Sequence, residues 1–118
     1  MRYSIDSRSA TPPFEQIRVQ VRDAVTSGEL AAGAKLPTVR ALAAELGLAV
    51  NTVARTYREL EADGVIETRG RAGSFVAPHG DARQQHAQAA AREYVALARR
   101  LGLNDAAALD LVRAAQRG

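Results

Sequence analysis

Hydrophobic positions near the start of the chain recur at the spacing of a helix that buries one face. Phe14, Ile17, Val21 and Ala24 lie on one side of a helix predicted over "TPPFEQIRVQVRDAVTSG". Its prolines fall in the first turn, where a missing N–H is tolerated, and Gly28 suits a left-handed end. The preceding "YSIDSRS" predicts a short strand or an extended arm.

Two more helices follow in a pattern typical of a helix-turn-helix. After the connector "ELAAGAKLP", Thr38 can cap a short helix, "TVRALAAELG", and Gly47 permits a sharp turn into a third helix that ends near Gly64. The inner face of the third helix is marked by Val53, Tyr57 and Leu60. The opposite face carries Asn51, Arg55 and Arg58.

Two short strands, "VIET" and "SFVA", are joined by "RGRAG", a hairpin whose glycines allow tight geometry. Residues 1–78 therefore predict a mainly α fold with a small β wing, which is a winged helix-turn-helix. The stretch "PHGDA" marks the end of this domain, because proline and glycine interrupt the pattern there.

The remaining residues, 79–118, predict a short C-terminal helical hairpin. A long helix from about Asp81 to Leu101 has the alternating three- and four-residue steps of a helix-pairing seam. The seam consists of Ala87, Ala90, Tyr94, Leu97 and Leu101. Asn104 can cap a last helix that has Leu111 and Val112 on its stripe. Such narrow stripes cannot form a core alone, so we expect the hairpin to dimerise the protein. The same stripes would also fit packing within one monomer.

Composition narrows the class of protein but does not locate a binding face. The 118 residues are 47% apolar with five aromatic residues, so one small domain with an appendage and an aliphatic core is expected. There is no cysteine, and no apolar run approaches the roughly 18 residues of a membrane span. We therefore expect a soluble cytoplasmic protein. The net charge is +3 and the pI ≈ 9.9, yet residues 1–78 contribute only +1 of it.

The start of the third helix carries the residues best placed to read DNA. A helix-turn-helix inserts its second helix into the major groove, which would bring Val50, Asn51, Thr52 and Arg55 there. Asn can bond to adenine, Thr to a base or phosphate, and Arg to guanine or a phosphate, whereas Val50 offers only apolar contact. The alternative is that Asn51 and Thr52 merely satisfy free amides of the first turn.

Three other arginines are candidates for the same duplex. Arg40, in the first turn of the preceding helix, could reach a phosphate or a base edge, or instead stay solvated or pair with Glu45. Arg69 and Arg71 lie at the tip of the wing, where arginine suits a narrow minor groove. An ordinary solvated turn is the alternative there.

Enzymatic and metal-binding patterns are not found in the sequence. None of the serines at positions 4, 7, 9, 27 and 74 has a nearby histidine–acid arrangement. His79 and His86 are too far apart for the short pair expected of a metal site. No phosphate-loop or dinucleotide fingerprint occurs. We therefore expect no catalytic residue, no metal and no cofactor.

The segment "FEQIRVQVRDAVTSGELAAGAKLPTVRALAAELGLAVNTVARTYRELEADGVIETRGRAGSFVA" resembles the GntR family of bacterial transcription regulators. The likeness runs from about Pro13 to Ala77 and includes "EQI", "SGEL…G.KLP", "LA..LG", "NTV", "EL...G" and the wing. The form "NTVARTYREL" and the two-helix tail look like the YtrA subfamily. The resemblance implies a winged helix-turn-helix and a homodimer on an inverted-repeat operator, commonly as repressor of a transporter operon and of its own gene.

The resemblance also implies which residues meet DNA. It supports Arg40, which matches the arginine after "LP" that contacts DNA in the family, together with Asn51, Thr52 and the wing glycines. The candidate DNA-binding set is Thr38, Arg40, Val50, Asn51, Thr52, Arg55, Arg69, Gly70, Arg71 and Gly73. Many members have Ser or Thr where Ala49 stands, and often Arg where Val50 stands, so the operator of a relative should not be transferred.

These patterns favour a sequence-specific DNA-binding repressor whose partners are double-stranded DNA and a second copy of the chain. A small-molecule effector could shift the separation of the two recognition helices, but no sequence pattern indicates a ligand pocket. A competing hypothesis is a winged-helix module that binds protein and not DNA. A third is the N-terminal piece of a fused regulator with an enzyme-like domain, against which the separate helical tail and its end at "AAQRG" argue.

Overall fold

Five α-helices and one small antiparallel sheet make up the fold in a computed structural model, which describes residues 1–80 and 82–118. The elements are α1 Pro13–Ser27, α2 Val39–Leu46, α3 Val50–Ala62, β1 Ile66–Thr68, a 3-10 turn Gly70–Ala72, β2 Ser74–Val76, α4 Ala82–Arg100 and α5 Asp105–Arg117. The predicted mainly α fold with a β wing is confirmed. Asp81, where the fourth helix was predicted to begin, lies outside the described residues.

The chain divides into two compact units, Met1–His79 and Gly80–Gly118. The first has an aliphatic core where α1, α2 and α3 meet, and Ile66 of β1 closes it. Its fully buried side chains include Ile17, Val21, Leu42, Val53 and Leu60. Removing these side chains from water stabilises the unit, at roughly 1.5–3 kcal/mol for each large aliphatic residue.

The starts of α2 and α5 are capped by side chains. The Thr38 hydroxyl accepts a hydrogen bond from the amide of Ala41 at the start of α2, and the Asn104 side chain accepts one from Ala107 at the start of α5. Both predicted caps are confirmed. Gly47, with φ +67°, ends α2 in the left-handed conformation and so allows the chain to turn sharply into α3.

The N-terminal residues form an extended arm, one of the two predicted alternatives. The Gln20 side-chain amide bonds to both the N–H and the C=O of Ser4, at 3.1 and 2.7 Å. Gln16 does the same for Asp6 at 2.8 and 3.0 Å. These side chains of α1 thus satisfy backbone groups of the arm that a neighbouring strand would otherwise bond. Tyr3 packs against the core from this arm.

The wing is larger than the predicted hairpin. β1 and β2 pair with Ile66 opposite Val76 and Thr68 opposite Ser74. The connector before α2 also pairs with β2: Leu36 N–H donates to the carbonyl of Ser74 at 2.9 Å, and Val76 N–H donates to that of Ala34 at 2.8 Å. Lys35 thus lies opposite Phe75. This third segment was not predicted, because its pairing partner is about 40 residues away and it lacks a strand-length apolar pattern of its own.

In the second unit, α4 and α5 form a helical hairpin. Ala98 and Ala108 are buried, and the Tyr94 hydroxyl donates to the Ala108 carbonyl at 2.7 Å. Arg99 pairs with Asp105 at 3.3 Å near the loop. Among the residues described, no helix combines the length and hydropathy that a bilayer crossing requires.

Tyr57 connects α3 to the start of α2. Its ring is buried and its hydroxyl donates to the carbonyl of Pro37 at 2.7 Å, directly before the cap of α2. Burial raises the pKa of this hydroxyl, so it remains a donor over the ordinary pH range. The contact fixes where α2 begins relative to α3.

We expect Tyr57→Phe to lower the free energy of unfolding by about 1 kcal/mol, because the change removes one buried hydrogen bond and leaves the Pro37 carbonyl without its donor. Urea denaturation measures the loss. Tyr3→Phe is the matched control, since the Tyr3 hydroxyl has no hydrogen bond to the described residues. Equal losses in the two variants would contradict this role of the Tyr57 hydroxyl.

Candidate nucleic-acid interface

The start of α3 projects into solvent because the rest of that helix is anchored in the core. Val53, Tyr57 and Leu60 are buried on the inner face. Asn51 lies on the opposite side of the first turn. Val50, the first residue of the helix, precedes the buried part of the inner face and is 45% exposed. The N-terminal turn of α3 is therefore free to enter a groove.

The side chains of Asn51 and Thr52 do not cap α3. The N-cap residue is Ala49, which has extended backbone and no side-chain hydrogen bond to the helix. Over residues 1–80 and 82–118, the structure shows no hydrogen bond from the Asn51 amide or the Thr52 hydroxyl. Their polar groups are thus not used to satisfy the first turn and remain available to a ligand.

Arg40 is exposed in the first turn of α2, two residues after the Thr38 cap. The described residues provide no salt bridge for it, so the pairing with Glu45 that the spacing allowed does not form. Its guanidinium is available for a phosphate or a base edge.

Arg55 is held by two intramolecular contacts. Its guanidinium lies 4.0 Å from the centroid of the Phe14 ring, and its Nε lies 3.3 Å from Glu59 Oε1. A cation over an aromatic face contributes on the order of 0.5–1 kcal/mol at an exposed site. The side chain stays 55% exposed, so it can be reached, but its charge is already shared with Glu59.

The two wing arginines have different surroundings. Arg69 donates from Nε to Glu67 Oε1 at 2.8 Å and lies 4.4 Å from the centroid of the Phe75 ring. Arg71 is exposed in the 3-10 turn and has no salt bridge within the part of the chain that the structure describes. The turn depends on glycine, because Gly70 and Gly73 have φ of +54° and +109°.

Lys35 is a cation near the wing that is not among the residues predicted from the sequence to bind DNA. It is exposed, and a β-carbon placed on Gly73 would come within 3.3 Å of its Cε. The signal that could have indicated this position is the alternation of exposed Lys35 with buried Leu36 in "AKLP", which is typical of a strand-like segment. Its nearness to the wing arises only through the pairing with β2.

The predicted dimer seam is mostly exposed on the helical hairpin. Leu97 is 44% exposed, Leu101 67% and Leu111 52%, while Ala87 and Ala90 are also exposed. Tyr94 is half-buried against α5, and Val112 lies with it along a shallow apolar groove. Packing between α4 and α5 uses Ala98 and Ala108, and it therefore leaves the leucines of the seam uncovered.

No group of three or more metal-ligating side chains occurs among the described residues. The exposed face of the first unit is instead a surface of hydroxyl, amide and guanidinium groups, which are the groups that meet phosphates and base edges.

The chain is similar to known proteins in sequence and in fold. The model of the family described as "Bacterial regulatory proteins, gntR family" matches residues 13–76. The HTH-type transcriptional regulator Rv1152 of Mycobacterium tuberculosis is 50% identical over 105 residues, which cover 89% of this chain and 86% of that protein. The HTH-type transcriptional repressor YtrA of Bacillus subtilis is 47% identical over 73 residues, which cover 61% of this chain and 55% of that protein.

Among solved structures, the fold resembles YtrA from Sulfolobus acidocaldarius, a GntR-family transcription factor. The TM-score is 0.59 at 28% identity, and the match covers 96% of this chain and 95% of that chain. The likeness therefore extends over both compact units of the chain.

Because Ala49 stands at the N-cap without a side-chain bond, we expect Ala49→Ser to raise the free energy of unfolding by about 1 kcal/mol. The backbone at this position is already extended, as a capping serine requires, and a hydroxyl could accept from the amide of Asn51 or Thr52. Thermal or urea unfolding measures the gain. Ala62→Ser, at the other end of α3, adds a hydroxyl where no cap can form and should give no gain. A gain of the same size in both variants would contradict the capping explanation.

Proposed function

The chain belongs to the GntR family of bacterial regulatory proteins, and we propose that it acts as a dimeric repressor of an inverted-repeat operator. It is a helix-turn-helix transcriptional regulator with a DNA-binding domain. The observation that carries the proposal is the start of α3, where the side chains of exposed Asn51 and half-buried Thr52 make no hydrogen bond to the described residues.

In this proposal α3 enters the major groove with Val50, Asn51 and Thr52 facing the bases. Asn51 reads adenine by a bidentate contact, and Val50 packs against a thymine methyl. Arg40 contacts a phosphate or a base edge beside α3, with Thr38 placing it by capping α2. Arg55 stands further along α3 and must share its charge between DNA and Glu59.

The wing would meet the minor groove next to the major groove that α3 occupies. Arg71 has no salt bridge to the residues that the structure describes, whereas Arg69 is partly neutralised by Glu67 and kept against Phe75. Gly70 and Gly73 give the tip a narrow shape, since each lacks a side chain that would stand between the backbone and the duplex.

The helical hairpin would join two copies of the chain. The exposed leucines of α4 and α5 form an apolar surface on a short chain, and burying it against a second copy removes that surface from water. A two-fold dimer places two recognition helices about one helical turn of DNA apart or somewhat more, so the operator would be an inverted repeat.

Repression is proposed because YtrA of Bacillus subtilis, 47% identical over the matched region, bears the name of a transcriptional repressor. By the family resemblance, the regulated genes would be a transporter operon together with the gene of this protein, and the site of action would be the cytoplasm. A small effector would act by changing the separation of the two recognition helices.

The decisive experiment is selection of bound duplexes from random DNA, followed by footprinting. We expect enrichment of a two-fold-symmetric site and protection of both half-sites. Recovery of no enriched sequence, with capture of a protein partner by the same domain, would favour the alternative of a protein-interaction module.

Substitution of the proposed reading residues should weaken operator binding without unfolding the domain. We expect Asn51→Ala and Arg40→Gln each to reduce affinity for the selected duplex by about 1–3 kcal/mol, as read by gel shift. Arg92→Gln, an exposed change in the other compact unit, is the control and should bind normally. Normal binding by the Asn51 variant would remove that residue from the interface.

The dimer is tested separately from the DNA contacts. We expect the double variant Leu97→Glu, Leu101→Glu to sediment as a monomer, because two charges would be buried in the apolar interface. Ala89→Glu introduces a charge at an exposed position of α4 outside the seam, and should leave the dimer intact. A stable dimer of the double variant would locate the interface elsewhere.

A further inference from the structure

A groove of about 280 Å³ lies between the wing and the start of α2, within the first compact unit. Two cations, Lys35 and Arg71, stand among the residues that line it. No aspartate or glutamate occurs among the described lining residues, while Thr38 and Ser74 contribute hydroxyl groups. The groove therefore has the composition of an anion site.

Neither cation of the groove has a salt bridge with another of the described residues. Lys35 and Arg71 are exposed, and the salt bridges between described residues involve neither of them. The other wing cation, Arg69, is paired with Glu67. An anion that approaches the wing thus meets two uncompensated charges in this groove.

The backbone fixes Lys35 at the groove. The bonds from Leu36 to Ser74 and from Val76 to Ala34 hold the connector beside β2 on either side of Lys35. The side chain then runs past Gly73, where a β-carbon would come 3.3 Å from its Cε. Gly73 therefore serves a second purpose besides its positive φ, because it leaves room for the lysine stem.

From this geometry we infer that the groove binds a phosphodiester group of the DNA backbone, with Lys35 and Arg71 as its two cations. The inference rests on the proposed DNA-binding function and adds to it a residue outside the helix-turn-helix and the wing hairpin. A lysine ammonium suits this role because it binds phosphate as a point charge and needs no planar partner. Lys35, and not Arg69, is then the cation that acts together with Arg71.

The salt dependence of DNA binding tests this assignment. With the full chain and the duplex obtained by selection, Lys35→Gln and Arg71→Gln should each reduce the slope of log K against log salt by about 0.9. Between 50 and 200 mM salt this amounts to a roughly 3.5-fold smaller loss of affinity than the wild type shows. Arg69→Gln should change the slope by less than half as much, and Lys35→Arg should keep it.

A second readout separates a phosphate contact from base recognition. Lys35→Gln should weaken binding to the selected duplex and to a scrambled duplex by the same factor, whereas Asn51→Ala should weaken only the former. Circular dichroism of each variant checks that the fold is retained, and Arg92→Gln controls for the loss of one remote charge.

A folded Lys35→Gln protein with the wild-type slope would overturn the inference. So would saturable binding of inorganic phosphate without DNA that is lost in Lys35→Gln, because the groove would then serve a free anion. Both outcomes differ from failure of the proposed function, in which the wild-type chain itself enriches no duplex.

Discussion

The burial of one face of α3 is the constraint on which the rest of the structure depends. Val53 and Leu60 have no exposed surface, and Tyr57 adds a hydrogen bond from α3 to the carbonyl that precedes α2. Because that face is buried from Val53 onward, the exposed first turn of α3 remains for a ligand. The orientation of Asn51 and Thr52 is therefore a consequence of apolar packing, and it requires no contact made by those residues themselves.

The proposed DNA-binding face carries two kinds of cation: arginines that are paired with a glutamate, and cations that have no salt bridge to the described residues. Both phenylalanines of the chain carry an arginine above the ring, Arg55 on Phe14 and Arg69 on Phe75, and each of these arginines also pairs with a glutamate. Such pairs hold the two side chains in one geometry at a cost in side-chain entropy, and they reduce the charge that the arginines offer to phosphate. In this proposal the free cations contribute more to counterion release, since a charge that is already paired with a carboxylate neutralises less of a phosphate.

The helices of the hairpin pack through small residues, unlike the helices of the first unit, which bury large aliphatic side chains. Small residues, Ala98 and Ala108, let α4 and α5 approach closely, while larger residues such as Leu101 remain exposed. A hairpin that packs through alanines and leaves its leucines exposed buries little apolar surface of its own. This is the physical reason to expect that a second copy of the chain covers the leucines. In the proposed dimer, the separation of the two recognition helices depends on the exposed leucines of α4 and α5, which are not among the residues proposed to contact DNA.

Periodicity and capping chemistry determined much of this protein from the sequence alone. Helical spacing predicted α1 to α5, and Thr38 and Asn104 indicated where two of the helices begin. The order of the motifs around "NTV" indicated the family. These signals are local, so one sequence carries them. Tertiary structure alone decided three other matters: the pairing of the connector at Lys35 with β2, the engagement of Arg55 with Phe14, and the freedom of Arg71 beside the paired Arg69. Each depends on contacts or counter-charges set by how the chain folds, and spacing along the sequence does not reveal which of several arginines has found a partner.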